Sequence, residues 1–175
     1  MRLFHISENP NLEFFEPRPC PSDAYDIKGN VVFAISEILL HNYLFPRDCP
    51  RVTYYVGPNT SASDRNMFFE NSTAEFIVAT ESKWLPIMRR TTIYQYEFSD
   101  ASFHLLDSCA GYYISSERQY PLSVKEIVNP VDELLARNLE LRFMPSLEKL
   151  AKSVSASTLQ FSLIRMRNAG NQLTF

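Results

Sequence analysis

Arg2-Leu3-Phe4-His5-Ile6-Ser7 opens the chain with the near-alternation of a short β-strand. A second apolar run, Val31-Val32-Phe33-Ala34-Ile35, follows after a segment broken by prolines. Its continuous β-branched character predicts a strand buried on both faces. Ser36 and Glu37 then supply an N-cap and a first-turn acid, predicting a helix through Leu39, Leu40 and Tyr43 that Pro46 stops. Two buried strands separated by an irregular loop, with a helix after the second, point to a sheet-centred α+β fold.

Bulk composition agrees. The chain has 175 residues, 45% hydrophobic and 21% charged, which suits a folded domain of ordinary size and argues against disorder. Aromatic residues make up 13%, a ring content that packs well on pleated surfaces. A net charge of −3 provides no general attraction to nucleic acid or anionic lipid, so neither partner is expected. Cys20, Cys49 and Cys109 lack CxxC spacing, which excludes a disulfide framework and a zinc knuckle as readings of the sequence. No apolar run approaches the roughly 20 residues of a membrane span. The first residues do not resemble a basic segment leading into a long apolar stretch, and a cytoplasmic protein is expected.

Further strands are expected at Arg51–Val56, Ala74–Thr80, Thr91–Phe98, Ser102–Leu106 and Tyr112–Ser115, with the alternation of Thr91–Phe98 predicting one wet face. Ser63–Glu70 reads as a weak helix and Trp84–Met88 as a single turn. From residue 123 the character becomes more helical, with helices expected at Ser123–Ile127, Val131–Asn138 and Pro145–Val154. Leu139–Met144 suits a strand, and Thr158–Arg167 suits either a strand or a short helix. Residues 16–30, with Pro17, Pro19, Pro21, Asp23, Asp26 and Gly29, read as a loop. The sequence thus predicts one domain over residues 1–175, with an antiparallel-rich mixed sheet and a helical C-terminal third.

Leu3-Phe4-His5-Ile6-Ser7 resembles the first strand of the ADP-ribosyltransferase superfamily, which often reads Leu-x-His-Gly-Ser/Thr. Val32-Phe33-Ala34, followed by Tyr43 on the next helix, resembles that superfamily's second motif. The resemblance implies a split sheet and a site for NAD. His5 would position the ribose, with Ser7 beside it, and Tyr43 would stack on nicotinamide. Either Glu75, in Ala74-Glu75-Phe76-Ile77-Val78, or Glu117, after Gly111-Tyr112-Tyr113-Ile114-Ser115, would be the catalytic glutamate. The chain departs from the pattern at Ile6, where glycine is usual, and at Val32, where a tyrosine normally closes the nicotinamide pocket. Those departures leave a non-catalytic binding or interaction domain on a related scaffold as the alternative. The whole chain also resembles an uncharacterised bacterial single-domain family sharing the LFHIS start, the Pro46–Thr53 segment PRDCPRVT and an ending of the form FSxIRxRNA at Phe161–Ala169.

Each residue also has a plainer reading. His5 suits a sugar hydroxyl or an amide, and equally a bond to a neighbouring backbone carbonyl. Tyr43 suits a core position as well as a stacking platform. Arg47 and Arg51 could grip a phosphate of a dinucleotide, or pair with Asp48 in a turn. Cys49 with His41 could form a thiol nucleophile and base, although the turn explains the segment more simply. His5, His41 and His104 have no HxH or HExxH spacing, so no metal site is expected.

Overall fold

The computed structural model describes residues 1–20 and 25–170; Pro21 and Asp23 of the expected loop lie outside the described residues. The chain folds as two compact units, each built from separate stretches of sequence: residues 1–41 with 92–127, and residues 42–91 with 128–175.

The first unit is a seven-stranded sheet. Its strands are β1 (Leu3–Ser7), β2 (Arg18–Pro19), β3 (Asn30–Ser36), β6 (Ile93–Phe98), β7 (His104–Asp107), β8 (Tyr112–Ser115) and β9 (Ser123–Ile127). They run in the order β7-β8-β3-β1-β6-β9, with the two-residue β2 paired to β3. Every pairing in this sheet is antiparallel. Leu3, Val32, Ala34, Tyr96, Phe98 and Phe103 form its buried core, joined by Leu12, Phe15, Tyr94 and Tyr113 from the partly buried shell. Full burial of side chains such as Leu3 and Phe98 stabilises the unit by about 1.5–3 kcal/mol each.

The second unit carries a four-stranded sheet of β4 (Arg51–Tyr55), β5 (Phe76–Glu81), β10 (Leu139–Met144) and β11 (Gln160–Ile164), in the order β10-β5-β4-β11. β10 pairs parallel with β5, and the other two pairings are antiparallel. The helices of this unit are α1 (Ala62–Phe69), α2 (Leu85–Met88), α3 (Pro130–Leu135) and α4 (Glu148–Ser155). Their starts follow from local chemistry: Ser61 caps α1 by accepting from the Asp64 amide, and Asn129 caps α3 by accepting from the Val131 amide ahead of Pro130. The buried Leu147 and Val154 flank α4 and pack with Val52, Tyr54, Ile77, Ala79 and Leu159 into the core.

The α+β class and the antiparallel-rich sheet stand as expected, while several elements differ. Glu37–Tyr43 is a 3-10 helix, not an α-helix. Ser123–Ile127 is a strand: the edge of β6 captures it through five residue pairs, from Ile93↔Ile127 to Glu97↔Ser123, overriding its helical spacing. The last third therefore alternates strand and helix (β9, α3, β10, α4, β11) and is not predominantly helical. The wet face expected along Thr91–Phe98 is absent too, because β6 lies between β1 and β9 and none of its residues is exposed. Residues 158–167 resolve into strand β11 and a short 3-10 turn, Met166–Asn168.

Gly111, in the turn before β8, holds φ at +69°, and its carbonyl accepts from the Ser36 amide at 2.9 Å. A Cβ there would stand 2.7 Å from Ser36 Oγ and 2.9 Å from Leu39 Cδ1. Gly111→Ala should lower unfolding stability by about 1–3 kcal/mol through left-handed strain and crowding, read from urea denaturation curves. An unchanged midpoint would mean that the turn is not held as described.

Candidate functional site

β1 is matched by β6 along its whole length, from Leu3↔Phe98 to Ser7↔Tyr94. With β3 it shares only Leu3↔Ser36 and Phe4↔Ile35, after which the two strands part. β3 continues instead with β8, from Ile35↔Tyr112 to Val32↔Ser115. The sheet therefore forks at His5, on the face that carries Leu3 and Ser7.

The His5 ring bridges this fork. Its Nδ1 lies 3.1 Å from the carbonyl oxygen of Phe33, beyond the last β1–β3 pair. A carbonyl can only accept, so Nδ1 carries the hydrogen and the neutral imidazole has its acceptor at Nε2. The Phe15 ring packs on the imidazole with centroids 4.9 Å apart, and meets Tyr96 and Phe98 edge-on at 5.2 and 5.0 Å. Phe15 sits in an otherwise irregular segment that is tied to Gln119 by a reciprocal backbone pair of 2.8 and 3.0 Å. The buried Gln119 amide donates to Ser102 Oγ at 2.8 Å, Ser115 Oγ at 2.9 Å and the Glu117 carbonyl at 3.2 Å. Arg118 pairs with Glu16 and lies over the Phe14 ring at 4.6 Å. His5 is thus connected through Phe15 and Gln119 to the turn that bears Glu117, whose side chain is exposed. Ser7 closes the next turn by accepting from the Asn9 amide at 3.1 Å, and the Tyr96 hydroxyl donates to the Asn9 carbonyl at 2.6 Å.

The remaining sequence candidates belong to the second unit. Arg51 is 2% exposed; its Nε donates to the Asn42 carbonyl at 2.6 Å and its Nη1 to the Cys49 carbonyl at 2.8 Å. The guanidinium carbon stands 5.3 Å from the ring centroids of both Tyr43 and Phe45, so the Tyr43 ring already has a cationic neighbour. Arg47 is exposed on the same loop. Glu75 occupies an exposed bend just ahead of β5, one residue short of the strand, and lines a shallow concavity with Arg65, Asn66, Glu70 and Thr73.

Two of the segments quoted for the family likeness also meet in this unit. Asn168 Nδ2 donates to the Asp48 carbonyl at 2.7 Å, joining the Pro46–Thr53 segment to the Phe161–Ala169 segment. One residue further, the Gly170 amide donates at 2.8 Å to Glu81, a buried carboxylate that also pairs with Lys83 at 3.0 Å. Sequence reasoning missed Phe15, Gln119 and Glu81. Neither Phe15 nor Gln119 lies in a recognisable motif, and 104 residues separate the two partners, the difference between their positions.

Among the described residues, no group of three His, Cys, Asp or Glu side chains is placed to hold a metal ion, and no helix is long and apolar enough to cross a membrane. A family model described as "Family of unknown function (DUF6886)" matches residues 4–169. No curated protein and no solved structure matches the chain.

Cys49 is fully buried, with Sγ 3.2 Å from Thr80 Oγ1. Burial pushes its thiol up to about 11, against smaller opposing effects of Thr80 and the Arg51 charge. From an ordinary value of 9.0, that shift lowers the thiolate fraction at neutral pH by about a hundredfold. In the folded protein Cys49 should therefore resist iodoacetamide at pH 7.5 and react only after unfolding, as read by peptide mass spectrometry. Rapid alkylation of Cys49 in the native state would restore it as a candidate nucleophile.

Proposed function

For a chain that belongs to DUF6886, a family of unknown function, we propose nucleotide binding of the NAD class at the β1–β3 fork, on a split-sheet scaffold like that of the ADP-ribosyltransferases. The observation that carries this reading is the His5 Nδ1 to Phe33 carbonyl contact inside the fork. It fixes the tautomer and puts the acceptor at Nε2, the role required to take a hydrogen bond from a ribose hydroxyl. The resemblance gives the motif histidine that same role. Ser7 lies two residues along β1 on the same sheet face.

Glu117 is the carboxylate of this reading. Its turn is built onto the Gln119–Phe15 pair that also packs on His5, so a single frame carries both side chains. In glycosyl transfer from NAD, such a carboxylate would stabilise positive charge developing on the ribose. His5 would orient the ribose by holding one hydroxyl.

Binding without turnover is the second reading, favoured by one observation. Val32 is 4% exposed within the core of the first unit, so no ring from that position closes a nicotinamide pocket. His5 and Glu117 would then serve recognition alone.

Calorimetric titration of the purified protein with NAD, and separately with ADP-ribose, should give binding heat. His5→Ala should weaken the affinity by at least about fivefold, the loss expected for one hydrogen bond. Absence of heat with both compounds would remove the proposal. If NAD cleavage is detected, loss of activity in Glu117→Gln with binding retained selects the enzymatic reading, and unchanged activity eliminates Glu117.

A further inference from the structure

Phe15 makes a contact that neither family motif contains. Its ring packs on the His5 imidazole, on the side chain whose hydrogen-bonding state the nucleotide reading depends upon. A histidine ring has two soft torsions, and one hydrogen bond at Nδ1 leaves it free to rock about that bond. A flat neighbour at 4.9 Å removes this freedom, as close packing does elsewhere in a core. Phe15 is itself held from two directions. Tyr96 and Phe98 meet its ring edge-on, and the paired backbone bonds to Gln119 fix its main chain.

Gln119 is an unusual clamp. Its side chain is 8% exposed, and its amide nitrogen has three acceptors in Ser102, Ser115 and the Glu117 carbonyl. An amide –NH2 has two hydrogens, so this cluster of acceptors locates the nitrogen from several sides. The irregular segment carrying Phe15 gains further attachment from the Arg118–Glu16 pair and from Arg118 over Phe14, both exposed and individually weak. The buried Gln119 bridge is therefore the main determinant of where Phe15 stands.

We infer that Phe15 is a positioning residue for His5, clamped by Gln119, which keeps the imidazole in the orientation where Nδ1 donates to Phe33. The inference rests on the nucleotide reading for its functional meaning, since an oriented Nε2 acceptor serves a ribose hydroxyl. Its structural content can be tested without any ligand. The same ring would also present an apolar wall beside Nε2, suiting a ligand with a flat heterocycle next to its sugar.

The test is long-range proton–nitrogen NMR of the histidine rings in the full chain at neutral pH, with His5 assigned through His5→Gln. The wild-type ring should be predominantly the Nδ1–H tautomer. Phe15→Leu, which keeps apolar volume and removes the ring, should lower the ratio of Nδ1–H to Nε2–H tautomer by at least about fivefold. Phe15→Tyr should restore it. Gln119→Ala leaves both rings in the chain, removes the clamp, and should shift the ratio in the same direction as Phe15→Leu.

If folded Phe15→Leu and Gln119→Ala both keep the wild-type ratio, the positioning role is overturned. It is equally overturned if neither variant folds, because the two residues are then structural supports only. A purely structural role would lower the unfolding midpoint and leave the tautomer ratio alone. Failure of NAD or ADP-ribose to bind wild-type protein whose His5 spectrum is as expected counts against the nucleotide reading and leaves the positioning of His5 standing.

Discussion

The parting of β1 from β3 beyond Phe4↔Ile35 is the constraint on which the first unit's site is built. Two neighbouring strands that separate leave backbone groups without their ladder partners, and such groups must be satisfied another way. The Phe33 carbonyl takes the His5 ring as its donor. That choice fixes the imidazole's hydrogen and therefore the chemistry at the opposite nitrogen. Continuous β1–β3 pairing would place Ala34 and Phe33 opposite His5 and Ile6, and the fork would not exist. Meanwhile β6 stays paired with all of β1, so the fork costs the sheet little of its cohesion.

The second unit meets a different problem, the burial of charge. Arg51 and Glu81 are almost wholly inaccessible, and an isolated buried ion costs several kcal/mol. Each is compensated locally. Arg51 turns two donors onto backbone carbonyls and lies against two aromatic rings; Glu81 accepts from the Gly170 amide and pairs with Lys83. These contacts draw together the loop before β4, the end of β5 and the residues after β11. The Arg51 guanidinium is thereby committed to supporting Asn42, Tyr43 and Cys49, which explains why an arginine that suits a phosphate in the sequence is held inside the structure.

The sequence revealed most where local and tertiary preferences coincide. β8 falls at Tyr112–Ser115 and β10 at Leu139–Met144, as their patterns require, and β1 and β3 differ from expectation only at their ends. Reading failed where a partner strand decides the outcome. Val124, Ile127 and Val128 have helix-like spacing, yet the free edge of β6 holds Ser123–Ile127 extended. For the site, His5 and Glu117 are visible as residue types in short motifs. The frame joining them is not, because it runs through an isolated bridge between Phe15 and Gln119 with no periodicity to announce it. Glu81 is hidden for a related reason: its acceptor role depends on a turn 89 residues further along the chain.

The departures from the ADP-ribosyltransferase pattern acquire a physical context from these contacts. At position 32 the resemblance calls for a ring, and the chain instead places a small side chain in the core beside Leu3, Ala34 and Phe98. A tyrosine there would need room that this packing does not leave, since a close-packed interior tolerates added volume poorly. The aromatic surface next to His5 comes from Phe15, a residue outside both motifs. On this view Val32 and Phe15 belong together: the small residue permits the core to close, and the ring that flanks the histidine is delivered from the loop side. A site arranged in this way would select its ligand through the clamped Phe15 segment, which makes the Gln119 bridge, more than the β3 triplet, the feature that distinguishes this chain from the superfamily it resembles.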